Sequence, residues 1–252
     1  MNKQEAIFNY ALRLGDNSLV LGHRLAELCS KGPILEEDLA LTNMALDHIG
    51  RAQAFLGYAA QVEGKNKTAD DLAYKRAERS FYNNLIMELP DKDFAATIAR
   101  QLLVSSFEYF LYNELMKSKD ETIAAISAKA VKEVRYHLAH SSDWTCRLGE
   151  GTAVSHEKMQ NALNDLWMFT GELFEMNDAD AILIKEGIAI DLNSIKQQWL
   201  EHVNGVILEA TLTLPSSDFM QTGSRKGIHT EYLGHILSEM QYLQRAYPTA
   251  QW

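Results

Sequence analysis

The stretch Thr122-Ile-Ala-Ala-Ile-Ser-Ala-Lys-Ala-Val-Lys-Glu-Val-Arg-Tyr-His137 decides the fold, because it has the pattern of a long amphipathic helix. Residues on one side of that helix recur at steps of three and four: Ile126, Ala130, Glu133, His137, His140 and Trp144. The pattern continues to Leu148 and ends at Gly149-Glu-Gly151, where two glycines disfavour further helix. The stretch therefore predicts one helix over residues 122–148.

Helical periodicity covers most of the remaining chain, and no segment alternates apolar and polar residues as a strand does. The predicted helical segments are, in chain order, 7–28, 35–60, 74–89, 94–116, 155–174, 179–186, 193–212 and 229–247. Two long pairs, within residues 3–63 and 93–148, have short connections and should each form a hairpin. The sequence predicts an all-α fold with one domain over 1–252, comprising a core bundle at 3–148 and a C-terminal helical extension at 155–247.

Charge and hydropathy restrict the class of protein. A formal net charge of -10 argues against binding to nucleic acid or to an anionic membrane surface, since both attract basic proteins. No apolar run approaches the ~18 residues of a membrane span, and the first residues do not resemble a signal peptide. Cys29 and Cys146 lack metal-type spacing and are expected to be buried free thiols. We therefore expect a cytoplasmic protein.

Two short segments resemble a metal-binding helix motif that has lost its histidine. Helical di-iron carboxylate bundles use Glu-x-x-His, in which the i, i+3 spacing places both ligands on one helix face. The corresponding segments here are Asp47-His-Ile-Gly50 and Glu133-Val-Arg-Tyr136, with His137 one position further along. Glycine has no ligand atom, and tyrosine stands in the second histidine position. The helical arrangement is therefore predicted to remain while the ligand set is incomplete.

Four carboxylates are candidates to meet in the middle of the predicted bundle. Asp16 and Asp47 lie about equally far from the turn at Gly32-Pro33, so they should be level in the first hairpin. Glu108 and Glu133 are likewise about equally far from the turn at 118–120. Carboxylate oxygens grouped in this way suit a hard metal ion.

A structural network is the favoured alternative to a metal site. Converging carboxylates without a metal repel one another or bind protons unless bases neutralise them. The arginines expected to do so are Arg13, Arg51 and Arg135. Asp47 shares a helix face with small residues that should allow close helix packing: Asn43, Gly50, Ala54 and Gly57.

The segment Gly223-Ser-Arg-Lys-Gly227 allows two interpretations. Its backbone N–H groups, with Arg225 or Lys226, could bind an anion. Its composition is also that of a plain turn before the last helix, and we favour the turn.

Several runs are similar to the C-type subunit family of bacterial phenylacetyl-CoA epoxidase, also called phenylacetate-CoA oxygenase. The most specific run extends from Thr222 to Arg245 and includes Gly-Ser-Arg-Lys-Gly-Ile-His-Thr-Glu-Tyr-Leu-Gly-His. The other runs that carry the resemblance are 12–17, 19–27, 35–41, 45–50 and 126–137. The resemblance thus extends over essentially the whole chain.

This resemblance implies a ferritin-like helical fold and a place in a multicomponent oxygenase of phenylacetate catabolism. In such an enzyme a related A-type subunit holds the di-iron centre and binds the CoA thioester, and a reductase delivers electrons from NADPH. The C-type subunit is the structural, non-catalytic partner of the A-type subunit. The resemblance therefore implies no catalytic residue, cofactor or metal in this chain.

Other functions and assemblies stay open at this point. An independent ferritin-like metalloprotein or oxidoreductase with an altered ligand set is the main alternative, and a free-standing binding bundle is a third. The expected partners are the catalytic A-type subunit, the other small subunits and the reductase. The isolated chain could also form a homodimer.

Overall fold

A computed structural model describes residues 1–217 and 219–250 of the chain. These residues form ten α-helices, connected by loops and short 3₁₀ turns, and contain no β-strand. The all-α class is confirmed, and the helical content is consistent with the ferritin-like bundle that the resemblance implies. Within the described residues, no helix combines the length and the apolar character needed to cross a membrane.

The chain divides into two compact units, which we describe separately. The first comprises Met1–Pro90, Met176–Leu183 and Gly223–Trp252, and the second comprises Asp91–Glu175 and Ile184–Thr222. The single-domain assignment stays a prediction.

Two long antiparallel helices dominate the first unit. Its helices are α1 (Lys3–Ala26), α2 (Leu35–Glu63), α3 (Ala69–Tyr74), α9 (Glu231–Met240) and α10 (Tyr242–Ala246). A reciprocal capping box begins α1, in which the Asn2 side chain accepts from the Glu5 N–H and the Glu5 carboxylate accepts from the Asn2 N–H. Gly64 ends α2 with a left-handed φ of 67°, a conformation that glycine adopts without strain.

Glycines of α1 set the close approach between α1 and α2. A Cβ atom on Gly15 would lie 2.7 Å from Leu56 Cδ2 and 3.3 Å from the Leu56 backbone N. A Cβ atom on Gly22 would lie 3.0 Å from Ile49 Cδ1 and 3.2 Å from His48 Cβ. Because Gly15 and Gly22 have no side chains, α1 and α2 can pack closely at these two positions.

The helix predicted over 74–89 is wrong. Residues after α3 form an extended segment with 3₁₀ turns at Glu78–Ser80 and Leu85–Met87. Side chains of α1 bind its backbone: Asp16 accepts from the Tyr82 N–H at 3.0 Å, and Asn17 accepts from the Asn84 N–H at 2.7 Å. These distant hydrogen bonds replace those of a helix, which is why local periodicity misidentified the segment.

The second unit contains the predicted second hairpin. Its helices are α4 (Phe94–Leu115), α5 (Glu121–Glu150), α6 (Ala153–Trp167) and α8 (Asn193–Glu209), and α7 (Asp178–Glu186) begins in the first unit and ends here. Asp93 caps α4 through the Ala96 N–H at 3.0 Å, and Asp120 caps α5 through the Ile123 N–H at 2.9 Å. The Trp199 indole N–H donates to the Leu103 carbonyl at 3.0 Å and anchors α8 to α4.

Several predicted boundaries and one burial prediction need correction. The helix predicted over 155–174 ends at Trp167 and is followed by a 3₁₀ turn at Gly171–Phe174. The last predicted helix is divided between α9 and α10, and the helix predicted to reach 212 ends at Glu209. Both cysteines are free thiols, but Cys29 is exposed and Cys146 only partly buried, contrary to the expected burial.

Candidate functional site

Asp16 is fully buried on α1 and is bound by a distant arginine. Arg76 donates from one terminal nitrogen to Asp16 Oδ2 at 3.0 Å and from the other to Oδ1. The backbone N–H of Tyr82 also donates to Oδ2, at 3.0 Å. Burial raises the pKa of the Asp16 carboxyl above its ordinary value, although the charge and hydrogen bonds of Arg76 act to lower it. Both oxygens thus have protein donors, and a metal ion would have to displace Arg76.

The bases expected to neutralise the four carboxylates need correction. Arg13, which was expected to neutralise the cluster, instead binds Asp180 through two hydrogen bonds of 2.8 and 2.5 Å. Burial would raise the pKa of Asp180, but Arg13 and the Asn177 N–H outweigh it and lower that pKa. Of the two other predicted bases, Arg51 is buried on α2 and Arg135 is exposed on α5.

Asp16 and Asp47 are not level in the first hairpin, contrary to the prediction. Gly15, the neighbour of Asp16, lies against the backbone of Leu56. Asp47 precedes Leu56 by nine positions, which is about 13 Å along a helix. The connection between α1 and α2 is asymmetric about Gly32-Pro33, since α1 ends at Ala26 and α2 begins at Leu35. Counting outward from the turn therefore gave the wrong register.

The close packing predicted at Gly50 is also wrong. A Cβ atom built on Gly50 would meet no heavy atom of the described residues within 4 Å, and the same holds for Gly57. Asp47 and Gly50 are only partly buried. The small residues of α2 thus lie on an open face, and the glycines that allow close approach are those of α1.

In the second unit, Glu108 and Glu133 lie on paired helices. Ser105 Oγ of α4 is 3.2 Å from Ser141 Oγ of α5, and the rings of Phe94 and Trp144 are 5.0 Å apart. Glu108 is buried on α4. The carboxylate of Glu133 forms an ion pair of 3.4 Å with Lys129, one turn away on α5.

Tyr136 and His137, which follow Glu133 by three and four residues on α5, have opposite environments. Tyr136 is 50% exposed, and its ring lies 6.0 Å from that of the partly buried His140. His137 is fully buried. The tyrosine in the second histidine position thus faces outward, and the histidine beside it faces the interior.

These environments do not fit a di-iron centre. Asp16 is occupied by Arg76, Gly50 has no ligand atom, Tyr136 faces outward and Glu133 is paired with Lys129. In the part of the chain that the structure describes, no group of three or more His, Cys, Asp and Glu side chains could hold a metal ion. A metal site needs a complete ligand set with supporting contacts, and these positions provide neither.

Sequence reasoning missed another buried carboxylate, Glu88. One of its oxygens accepts from Asn83 Nδ2 at 2.9 Å, and the other accepts from the Thr230 N–H at 2.9 Å and the Thr230 hydroxyl at 2.6 Å. His229 Nδ1 lies 2.5 Å from Glu88 Oε1, and His229 Nε2 lies 2.8 Å from the Phe81 carbonyl. The only signal was the unusual run containing His229-Thr230, because Glu88 lies 141 positions earlier.

The two acceptors of His229 favour its protonated form. Burial would lower the pKa of His229, but the hydrogen bond and charge of Glu88 and the Phe81 carbonyl raise it above its ordinary value. An imidazolium has two N–H donors, one for each of these oxygens. Glu88 and His229 therefore form a buried ion pair that fastens the C-terminal segment to the extended segment.

The loop 223–227 is a turn packed on the same extended segment, which supports the plainer interpretation. Gly223 and Gly227 have φ values of 143° and 66°. A Cβ atom on Gly227 would lie 2.2 Å from the Arg79 carbonyl oxygen, so only glycine fits there. Arg225 donates to Asn84 Oδ1 at 2.7 Å. The arginine that could have bound an anion is thus engaged within the chain.

Together these features define an all-α helical protein in which Arg76 binds the buried Asp16, Gly50 provides no ligand atom and Tyr136 faces outward. The family described as "Phenylacetic acid catabolic protein" matches residues 1–252, and the chain belongs to this family. It is 51% identical over 243 residues to the C-type subunit of 1,2-phenylacetyl-CoA epoxidase from Escherichia coli (strain K12). That similarity covers 96% of this chain and 98% of the relative, and it confirms the resemblance identified from the sequence motifs.

Proposed function

We propose that this chain is the structural, non-catalytic C-type subunit of a multicomponent phenylacetyl-CoA epoxidase of phenylacetate degradation. The observation that carries the proposal is the Asp16–Arg76 ion pair, because it engages one of the four carboxylates that are candidate metal ligands. The similarity over 96% of the chain to a protein named as the C-type subunit of such an enzyme supports it. We also propose a cytoplasmic location.

In this proposal the chain binds and stabilises a related A-type subunit that holds the di-iron centre. A reductase delivers electrons from NADPH to that centre, and other small subunits complete the assembly. The residues of this chain then contribute folding and interface energy only. A partner that binds the folded form of the catalytic subunit stabilises it by mass action, by ~2.7 kcal/mol at a hundredfold excess over Kd.

The experiment is a thermal melt of the purified A-type subunit with and without this chain, together with size-exclusion chromatography of the mixture. We expect co-elution and a higher Tm of the A-type subunit, with an increase that grows with the concentration of this chain. An unrelated helical protein of similar acidity is the control. Separate elution and an unchanged Tm at saturating concentration would show that this chain is not its structural partner.

The alternative of an independent metalloprotein predicts a different result. Such a protein would bind iron and oxidise a substrate without any partner. The ion pairs at Asp16 and Glu133 argue against that alternative. In each pair a side-chain cation lies beside the carboxylate and would compete with a metal ion for it.

A further inference from the structure

Helix α2 has an exposed apolar face in addition to its buried face. Leu35, Leu39 and Leu46 are 70%, 54% and 64% exposed. At 3.6 residues per turn these three side chains lie within an arc of about 40°. On the other side of the same helix, Met44, Phe55 and further apolar residues are fully buried in the chain's own core. The helix is thus apolar on two sides, and residues 1–217 and 219–250 cover only one of them.

Gly50 and Gly57 continue the exposed face toward the end of α2. With Leu35, Leu39 and Leu46 they lie within an arc of about 60°, and we call these five residues the α2 face. Glycine inside a helix costs ~1 kcal/mol relative to alanine. No packing among the described residues accounts for either glycine, because an added Cβ would meet no heavy atom within 4 Å. A second backbone lying against the face would account for both.

Charge indicates which kind of molecule covers the α2 face. Among residues 35–57, which contain the α2 face, Glu36 is exposed and Asp38 and Asp47 are partly exposed, while Glu37 and the single Lys or Arg residue, Arg51, are buried. A second copy that met the face with its own α2 would bring two such acidic stretches together, which is unfavourable. A helix that presents apolar residues flanked by Lys or Arg would complement both the leucines and the carboxylates.

We propose that the α2 face is the docking surface for a basic, amphipathic helix of the catalytic A-type subunit. This proposal rests on the function proposed above and adds the surface and the chemistry of its occupant. At ~1.5 Å per residue the helix spans ~34 Å from Leu35 to Gly57, so a face ~10 Å wide presents ~340 Å². That is less than half of the ~800 Å² per partner of a standard interface. The α2 face would therefore supply the apolar part of a larger interface.

The test compares the affinity of chain variants for the purified, iron-loaded A-type subunit. Leu39→Glu/Leu46→Glu should weaken binding about 100-fold, because two central apolar contacts are replaced by charges. The matched control is Val154→Glu/Leu208→Glu in the second unit, whose side chains are 64% and 63% exposed. This control should bind within about threefold of the unaltered chain. All four positions are exposed, so both variants should melt like the unaltered chain.

Two further variants separate binding from folding. Gly50→Leu keeps the face apolar but fills the space needed by a second backbone, and it should weaken binding about tenfold with an unreduced Tm. Its control is Gly205→Leu on α8, where an added Cβ also meets nothing within 4 Å. Glu36→Lys should slow association at low salt and have less effect at high salt, since it removes a complementary charge.

The outcomes distinguish this proposal from the function on which it rests. If the unaltered chain binds the A-type subunit and Leu39→Glu/Leu46→Glu binds equally well, the surface is wrong and the function stands. If the unaltered chain does not bind at all, the function itself is wrong. If the double variant loses only a concentration-dependent self-association, the α2 face joins two copies of this chain, and the proposed occupant is wrong.

Discussion

Arg76 forms an ion pair with Asp16, a fully buried carboxylate 60 positions earlier in the chain. Its guanidinium also lies 4.0 Å from the centroid of the Phe81 ring. The pair fixes the extended segment after α3 against α1 and occupies the oxygens that a metal ion would need. One interaction thus contributes both to the fold and to the proposed absence of catalytic metal chemistry.

Replacing Arg76 by alanine should therefore be strongly destabilising. Arg76→Ala leaves Asp16 buried without its cation, and we expect the free energy of unfolding to fall by ~3–5 kcal/mol. Urea unfolding at pH 7 measures this change. Lys75→Ala, which removes an exposed pair with Asp71, is the control and should cost ~1 kcal/mol or less. Equal effects of the two variants would contradict the structural importance of the Asp16 pair.

Replacement by alanine should change the stability of the chain in opposite directions at Gly50, which is open, and at Gly15, which is enclosed. Gly50→Ala meets open space and should stabilise the isolated chain by ~0.5–1 kcal/mol through helix propensity. Gly15→Ala places a methyl group against Leu56 and should destabilise it by ~1–3 kcal/mol. Thermal and urea unfolding of both variants check this contrast. Destabilisation by Gly50→Ala in the isolated chain would show that α2 is packed on that side.

The Glu88–His229 pair should make stability depend on pH. The pKa of His229 is raised on folding, so its contribution is fully present below the unfolded pKa of ~6.5 and is lost as pH rises through the folded pKa. His229→Gln should therefore lower the free energy of unfolding more at pH 6 than at pH 9. His235→Gln, at an exposed position of α9, is the control. A constant difference across this pH range would mean that His229 is not protonated when the chain is folded.

Restoring the missing histidines should not restore a metal centre. We expect Gly50→His/Tyr136→His to melt like the unaltered chain, because Gly50 has open space and Tyr136 is half exposed. A histidine at position 50 would overpack only if a second helix lay against Gly50, and none of the described residues does. Iron binding should stay weak, because Asp16 remains bound to Arg76 and lies about 13 Å along the hairpin from Asp47. Iron titration of the double variant, beside the thermal melt, tests this prediction, and tight binding of two irons would contradict it.

Local signals in the sequence predicted most helices to within a few residues. The helix predicted over 122–148 extends from Glu121 to Glu150 in the structure, and the helix predicted over 94–116 extends from Phe94 to Leu115. Amphipathic periodicity and turn residues are local properties, so they can be read directly from the chain. The segment 74–89 was misidentified because Asp16 and Asn17, which bind its backbone, come from α1.

The candidate site was harder to predict for the same reason. Nothing near Asp16 indicates that its partner is Arg76 rather than Arg13, and nothing near Glu88 indicates His229. The glycines of α2 look in sequence like those of α1, and only the packed structure shows that Gly15 is enclosed and Gly50 is open. The missing ligand atoms at Gly50 and Tyr136, by contrast, follow from residue identity alone.

Iron content and turnover of the isolated chain test the central claim most directly. The chain would be purified under reducing, anaerobic conditions, loaded with ferrous iron, desalted and assayed for bound iron, and then assayed for oxidation of phenylacetyl-CoA with a reductase, NADPH and added O₂. We predict no stoichiometric iron and no turnover by this chain alone, with both appearing when the A-type subunit is added. Two tightly bound irons per chain, with turnover in the absence of any other oxygenase subunit, would contradict the account.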